Sequence, residues 1–204
     1  RMSRMTDEAD RRHTRDLGSS FQPVTEEDRA RREAENGVRQ FDQVLEQIAY
    51  GLSAEPRPRL RPSVILDLQR TAVEGIEATA GTYRSSAVEI TKASHQPPPP
   101  HLVASLVEEM CDYVNDNWSS MSALHLASYV LRRLNWIHPF IDGNGRTARA
   151  VSYLVLSLRL GYLLPGRVTV PALIADDKAP YYRALEEADA GASAGTIDLS
   201  TMED

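Results

Sequence analysis

Residues 138–149 read His138-Pro139-Phe140-Ile141-Asp142-Gly143-Asn144-Gly145-Arg146-Thr147-Ala148-Arg149. Apolar stretches lie on both sides. Before it, Ser122 to Trp136 carries Leu124, Leu126, Ala127, Val130, Leu131 and Leu134, and after it Ala148 to Leu160 is apolar on most faces. Neither pattern suits a surface helix, so the spacing predicts two buried helices, the second beginning inside the quoted stretch. Asp142 to Arg146 have no packing purpose there, and their place is the start of a core helix.

That address has chemical consequences. Glycines at a helix start let backbone N–H groups converge on an anion, and the helix dipole adds positive potential at the same point. Gly143, Asn144 and Gly145 therefore read as a phosphate cradle. Arg146 and Arg149 are three apart, share a helical face and can turn forked donors toward phosphate oxygens, which favours a polyphosphate. Asp142 beside the cradle is the single carboxylate with which a protein commonly holds Mg²⁺ together with phosphate oxygens and waters. His138 has an unperturbed pKa near 6.5 and can take a proton from an attacking hydroxyl at neutral pH. No Cys or Ser nucleophile neighbours it, so direct in-line transfer of a phosphoryl or nucleotidyl group fits better than a covalent enzyme intermediate. A histidine beside Pro and Phe is by itself an ordinary structural residue, and Gly-Asn-Gly by itself an ordinary turn; the combination carries the argument. Phe140 is expected to anchor the loop in the core and to do no chemistry.

Outward from this centre, residues 1–20 are polar and charged and are expected to form a flexible arm. Thr25-Glu26-Glu27-Asp28 has capping-box spacing and starts a helix with Val38, Phe41, Val44, Leu45 and Ile48 on its buried stripe, ending near Gly51. Prolines in 52–62 mark a linker, and Ser63 is expected to cap a helix carrying Ile65, Leu66, Leu68 and Val73. Tyr83 to Lys92 alternates, with Val88 and Ile90 on one side and Glu89 and Thr91 on the other, which predicts a short strand or hairpin. Pro97 to Pro100 stop it, and a helix follows through Leu102, Leu106, Met110, Tyr113 and Val114. Beyond Gly161, Pro171 can begin a short helix and Pro180 another through Tyr181, Leu185 and Ala188; the tail from Gly191 is small and polar.

The chain has 204 residues, 42% of them hydrophobic, enough for one domain with an appended arm. Its net charge of −6 gives no electrostatic footprint for nucleic acid or an anionic membrane. The single cysteine, Cys111, excludes an internal disulfide and is expected in the core, and no apolar run reaches membrane-spanning length. The composition predicts a cytoplasmic protein, with delivery elsewhere as a secreted effector left open. Arg1 in place of Met suggests a trimmed chain.

The quoted stretch resembles the signature of the Fic family, HxFx(D/E)GNGRxxR, at every position, and the similarity runs from about Gly81 to Asp189. The resemblance implies an all-α Fic core over 63–190, with an N-terminal helix and linker at 21–62 and a tail at 191–204. It also implies one β-hairpin flap over the site, at 83–95, which docks an extended target segment by strand addition through Tyr83, Arg84, Val88 and Ile90. By the same resemblance His138 is the general base and Asp142 the Mg²⁺ ligand. Gly143, Asn144 and Gly145 hold the α- and β-phosphates of ATP, Arg146 contacts the β-phosphate and Arg149 the γ-phosphate. Tyr181, Tyr182 and Asp189 lie near the base, although a pair of core aromatics is an equally good account of the tyrosines. Many relatives carry an inhibitory motif, (S/T)xxxE(G/N), or an antitoxin partner. Glu35-Asn36 matches the end of that motif, but Arg31 stands where Ser or Thr belongs, and a solvated helix face accounts for Glu35 better.

The implied activity is AMP transfer from Mg·ATP to a protein hydroxyl. Transfer of UMP, GMP or phosphocholine is a variant, since the motif binds the diphosphate and hardly touches the base. Phosphotransfer as in the toxin branch goes with a lysine at the second glycine, where this chain has Gly145. A nucleotide-sensing module without turnover is expected to lack the histidine or the aspartate, and both are present.

Overall fold

A computed structural model of the protein describes residues 25–90, 95–164, 179–193 and Leu199, without the side chains of Tyr181 and 188–193. The helices are α1 (Glu26–Ser53), α2 (Pro62–Val73), α3 (Val103–Asp116), α4 (Ala123–Ile137), α5 (Asn144–Leu160) and α6 (Ala179–Ser193), with one 3₁₀ turn at Pro100–Leu102 ahead of α3. The expected arm, the Pro171 helix and nearly all of the tail lie outside the described residues.

The α1 start is the expected one: the Thr25 hydroxyl accepts from the Asp28 N–H at 3.1 Å, above an acidic first turn. Its stripe differs from expectation at one end. Val44 and Ile48 are buried, but Val38 is 65% exposed. At that level the inward positions belong to Asn36 and Gln40, whose amides donate to the Glu74 and Leu68 carbonyls. α1 there crosses backbone that needs donors rather than an apolar surface. At its other end Gly51 lets α1 close on α5, where a Cβ would stand 2.6 Å from Leu158 Cδ2.

α2 starts one residue before the expected cap, with Pro62 in the first turn and no side-chain cap at Arg61; proline has no N–H to leave unpaired there. It buries Ile65, Leu68, Gln69, Ala72 and Val73. α3 departs from the expected stripe near its start, burying Val103 and Val107 rather than Leu102 and Leu106, while Met110 and Val114 are buried as expected. Ser122 caps α4, accepting from His125 N–H at 2.9 Å. Leu126, Val130, Leu131 and Leu134 are buried, while Leu124 is 44% exposed.

The two buried helices expected from the sequence, α4 and α5, form the centre, with α1 and α2 packed on α5 and α3 on α4. Phe140 fills the corner between them at 1% exposure. Among the described residues no strand forms: 83–90 is irregular, with Ile90 in an isolated bridge, and 91–94 lie outside the described residues. Val88 and Ile90 nonetheless face inward and Glu89 outward, as the alternation implies.

Candidate active site at the start of α5

The corner between α4 and α5 is held by its own side chains. His138 ends α4 in the left-handed region (φ 50°), the one non-glycine among the described residues to do so, with its N–H donating to the Leu134 carbonyl at 3.0 Å. Its Nδ1 is 3.4 Å from the Asn135 carbonyl. A carbonyl can only accept, so that contact puts the proton on Nδ1 and leaves Nε2 as the basic nitrogen. Asn144 spans the loop with both ends of its amide: Oδ1 accepts from Phe140 N–H and Nδ2 donates to the Phe140 carbonyl, each at 2.9 Å. Its side chain is thus taken up in shaping the loop, which leaves its backbone N–H for an anion.

Gly143 turns the chain into α5 with φ 81°, and a Cβ there would meet Val73 Cγ1 at 2.7 Å. Gly143 has no side chain to cap the helix that follows, and among the described residues no side chain accepts from its first-turn amides. Arg146 donates to Asp142 Oδ1 at 3.2 Å and to the Ala72 carbonyl at 3.1 Å. The Arg149 guanidinium folds back over Gly145, where an added Cβ would come within 3.3 Å of Nη1. Asp142 also accepts from the Gly143 N–H at 2.6 Å. Its Oδ2 is paired with Arg29 of α1 at 2.6 Å, and Arg29 Nε in turn donates to Glu33 at 3.1 Å. The expected histidine, carboxylate, glycine cradle and two arginines therefore converge on one corner, with α1 lying across it.

A Fic/DOC family model matches residues 59–156. The chain carries a Fic/DOC-family domain. Protein adenylyltransferase Fic of Drosophila willistoni is 34% identical over 131 residues, 62% of this chain and 24% of that protein. Protein adenylyltransferase fic-1 of Caenorhabditis briggsae is 28% identical over 158 residues, 76% of this chain and 29% of that protein. The chain spans about a quarter of the length of the curated relatives it matches. Among solved structures, a Fic domain containing signaling protein from Bacteroides thetaiotaomicron superposes with TM-score 0.65 at 25% identity, over 84% of this chain and 62% of that one. Fic-1 of C. elegans superposes with TM-score 0.64 at 22% identity, over 92% and 49%. The helical Fic fold is thus shared.

Other expected residues of the Fic domain are placed differently. Arg84, expected to meet a target, is 3% exposed and among the described residues donates only to backbone carbonyls. The Tyr83 ring packs against Phe140 at 5.8 Å, and burial pushes its phenol up to about 12. Both point inward because 83–90 lies along the α4–α5 corner. Glu35 pairs with Arg31 at 3.4 Å on the solvated side of α1, away from the α5 arginines, while Asn36 turns inward. Tyr182 is partly buried against the core; the side chains of Tyr181 and Asp189 lie outside the described residues.

Sequence reasoning missed Gln69, Arg29 and Glu33. Gln69, 1% exposed, donates to the Asp142 carbonyl at 3.0 Å and accepts from Gly81 N–H at 2.6 Å. Its signal was available: an amide in the apolar stripe of α2 must find buried partners. Arg29 and Glu33 sit in a helix dense with charge, and nothing local separates them from their neighbours.

Proposed function

We propose that this protein moves AMP from Mg·ATP onto a hydroxyl side chain of a target protein, releasing pyrophosphate. The observation that supports this most strongly is the meeting of a base, His138 Nε2, with an uncapped helix start flanked by Arg146 and Arg149. In this reading the α5 amides and the two arginines hold the phosphate chain, with Arg149 toward its end. The target hydroxyl gives its proton to His138 Nε2 as its oxygen bonds the α-phosphorus; the bond from that phosphorus to the β-phosphate oxygen breaks, and pyrophosphate leaves. The αL backbone and the Nδ1 contact hold the imidazole in the tautomer that this transfer needs.

The residues present fit a Mg²⁺ ion: one carboxylate, Asp142, stands beside the anion site, which suffices for an ion that keeps waters and takes phosphate oxygens. Among the described residues no group of three or more acidic, His or Cys ligands exists, so the fit is to a nucleotide-borne ion and not to an all-protein cage. When bound, the ion supplies neutralisation of charge on the phosphate oxygens. Asp142 must exchange its Arg29 contact for that role.

The target class in this reading is a protein segment presenting Ser, Thr or Tyr and passing over 83–95. Among the described residues no helix is long and apolar enough to cross a membrane. The decisive experiment offers the protein and a cell lysate ATP labelled at the α or at the γ position, followed by intact-protein mass measurement. Label from the α position with an AMP-sized gain is expected; label from the γ position alone would move the reaction to phosphotransfer.

A further inference from the structure

Three consecutive carbonyls at the end of α4 are bound by one residue. The Arg84 backbone N–H donates to the Pro139 carbonyl at 2.9 Å, its Nε to the His138 carbonyl at 2.8 Å and its Nη2 to the Ile137 carbonyl at 3.3 Å. The remaining donors reach the Ser86 carbonyl at 3.1 Å and the Pro98 carbonyl at 2.5 Å. The side chain is buried, and every described partner is a carbonyl oxygen rather than a carboxylate. Taking a cation out of water is costly, and burial accordingly lowers the pKa of this guanidinium. What faces it instead is the negative end of the α4 dipole.

The carbonyls it binds flank the single strained residue of the site. A non-glycine residue in the left-handed region costs on the order of 1–3 kcal/mol and persists only where its surroundings over-determine it. Here the Leu134 contact fixes the His138 N–H, and Arg84 fixes the carbonyls before, at and after the strained unit. We propose that Arg84 is a positioning residue for His138: its planar fork holds the 137–139 backbone so that the imidazole is presented at the angle required for proton abstraction. This rests on the reading of His138 as the base. The anion site is held by other contacts, Asn144 on Phe140, Gln69 on Asp142 and Gly143 against Val73, so Arg84 acts on the base and leaves the phosphate cradle in place. Lysine is a poor substitute, having a single ammonium group in place of a rigid fork.

Arg84→Lys, tested in the full chain, has three readouts: the imidazole signals of isotopically labelled histidine, ATP affinity by calorimetry, and the rate of labelling from α-labelled ATP at saturating nucleotide. His138→Ala serves to assign the His138 signal. Expected are a shifted or broadened His138 signal, a rate lower by about 10- to 100-fold and an ATP affinity within about twofold of the parent. Arg84→Gln, which keeps one donor group, provides the same readouts should the lysine variant not fold. An unchanged His138 signal and rate in a folded variant overturns the proposal, as does a loss of ATP affinity in proportion to the rate. If His138→Ala itself retains full transfer, the assignment of the base fails instead, and the imidazole signal in Arg84→Lys still decides whether Arg84 sets the ring.

Discussion

Arg29 Nη2 and Asp142 Oδ2 are 2.6 Å apart, joining the first turn of α1 to the start of α5 across 113 residues of sequence. A guanidinium thus sits on the carboxylate proposed to meet Mg²⁺. Both side chains are partly exposed, so the pair is worth on the order of 0.2–1 kcal/mol. Arg29→Ala is expected to tighten Mn²⁺-dependent ADP binding by up to about fivefold, read by calorimetry at two metal concentrations. Weaker binding would show that Arg29 assists the nucleotide instead of competing with its metal.

His138→Ala should abolish label transfer while ATP still binds. Arg149→Ala should weaken ATP more than ADP, since its guanidinium folds over Gly145 at the proposed phosphate end. Labelling retained in the histidine variant, or equal losses for the two nucleotides in the arginine variant, removes the corresponding role. Titration calorimetry and intact mass together give both answers.

Gly143→Ala places a Cβ at φ 81° and 2.7 Å from Val73 Cγ1. The left-handed backbone alone costs a non-glycine residue about 1–2 kcal/mol, and the overlap adds to it. A melting temperature lowered by several degrees and loss of ATP binding are expected. Adding Val73→Ala removes the overlap but not the backbone cost, so it should recover part of the stability; full recovery would mean that the backbone turn has other solutions.

Gln69→Leu leaves the Gly81 N–H and Asp142 carbonyl without their partner. Each unsatisfied buried group costs about 1–3 kcal/mol. Denaturant unfolding should show that loss, and nucleotide affinity should fall with it because the Asp142 backbone is no longer tied to α2. A stable variant with reduced affinity would separate the two effects.

Much of this was legible in the sequence and some was not, for reasons that differ by residue. The α4–α5 pair, Phe140 and the Thr25 cap follow from local pattern, since each depends on neighbours a few positions away. The polar inner face of α1 at Asn36 and Gln40, the inward turn of Arg84 and the Arg29–Asp142 contact depend on which backbone a distant segment presents, and periodicity carries no record of that. Asn144 shows a third case: its place in the motif was readable, while the use of its amide as a staple on Phe140 needed the loop's shape.

Burial pushes the Cys111 thiol up from its ordinary 9.0 to about 12 and the Tyr83 phenol from 10.0 to about 12. Both stay protonated in the folded chain at pH values where the unfolded chain ionises them. Their contribution is therefore complete below pH about 9 and is lost as pH rises toward 12. Stability from urea unfolding should fall as pH rises from about 9 toward 12, and Cys111→Ala should flatten that decline. A decline that Cys111→Ala leaves untouched would assign it to Tyr83 and the remaining groups.

α1 delivers Val44 and Ile48 to the core, closes on Leu158 through Gly51 and lays Arg29 and Glu33 over the α4–α5 corner. The boundary at residue 59 drawn by family similarity therefore cuts through a working unit. Similarity and packing follow different borders in this chain: α1 lies outside the matched stretch, yet its Arg29 reaches the carboxylate at the start of α5, so substitutions in α1 are expected to alter folding and the proposed chemistry together.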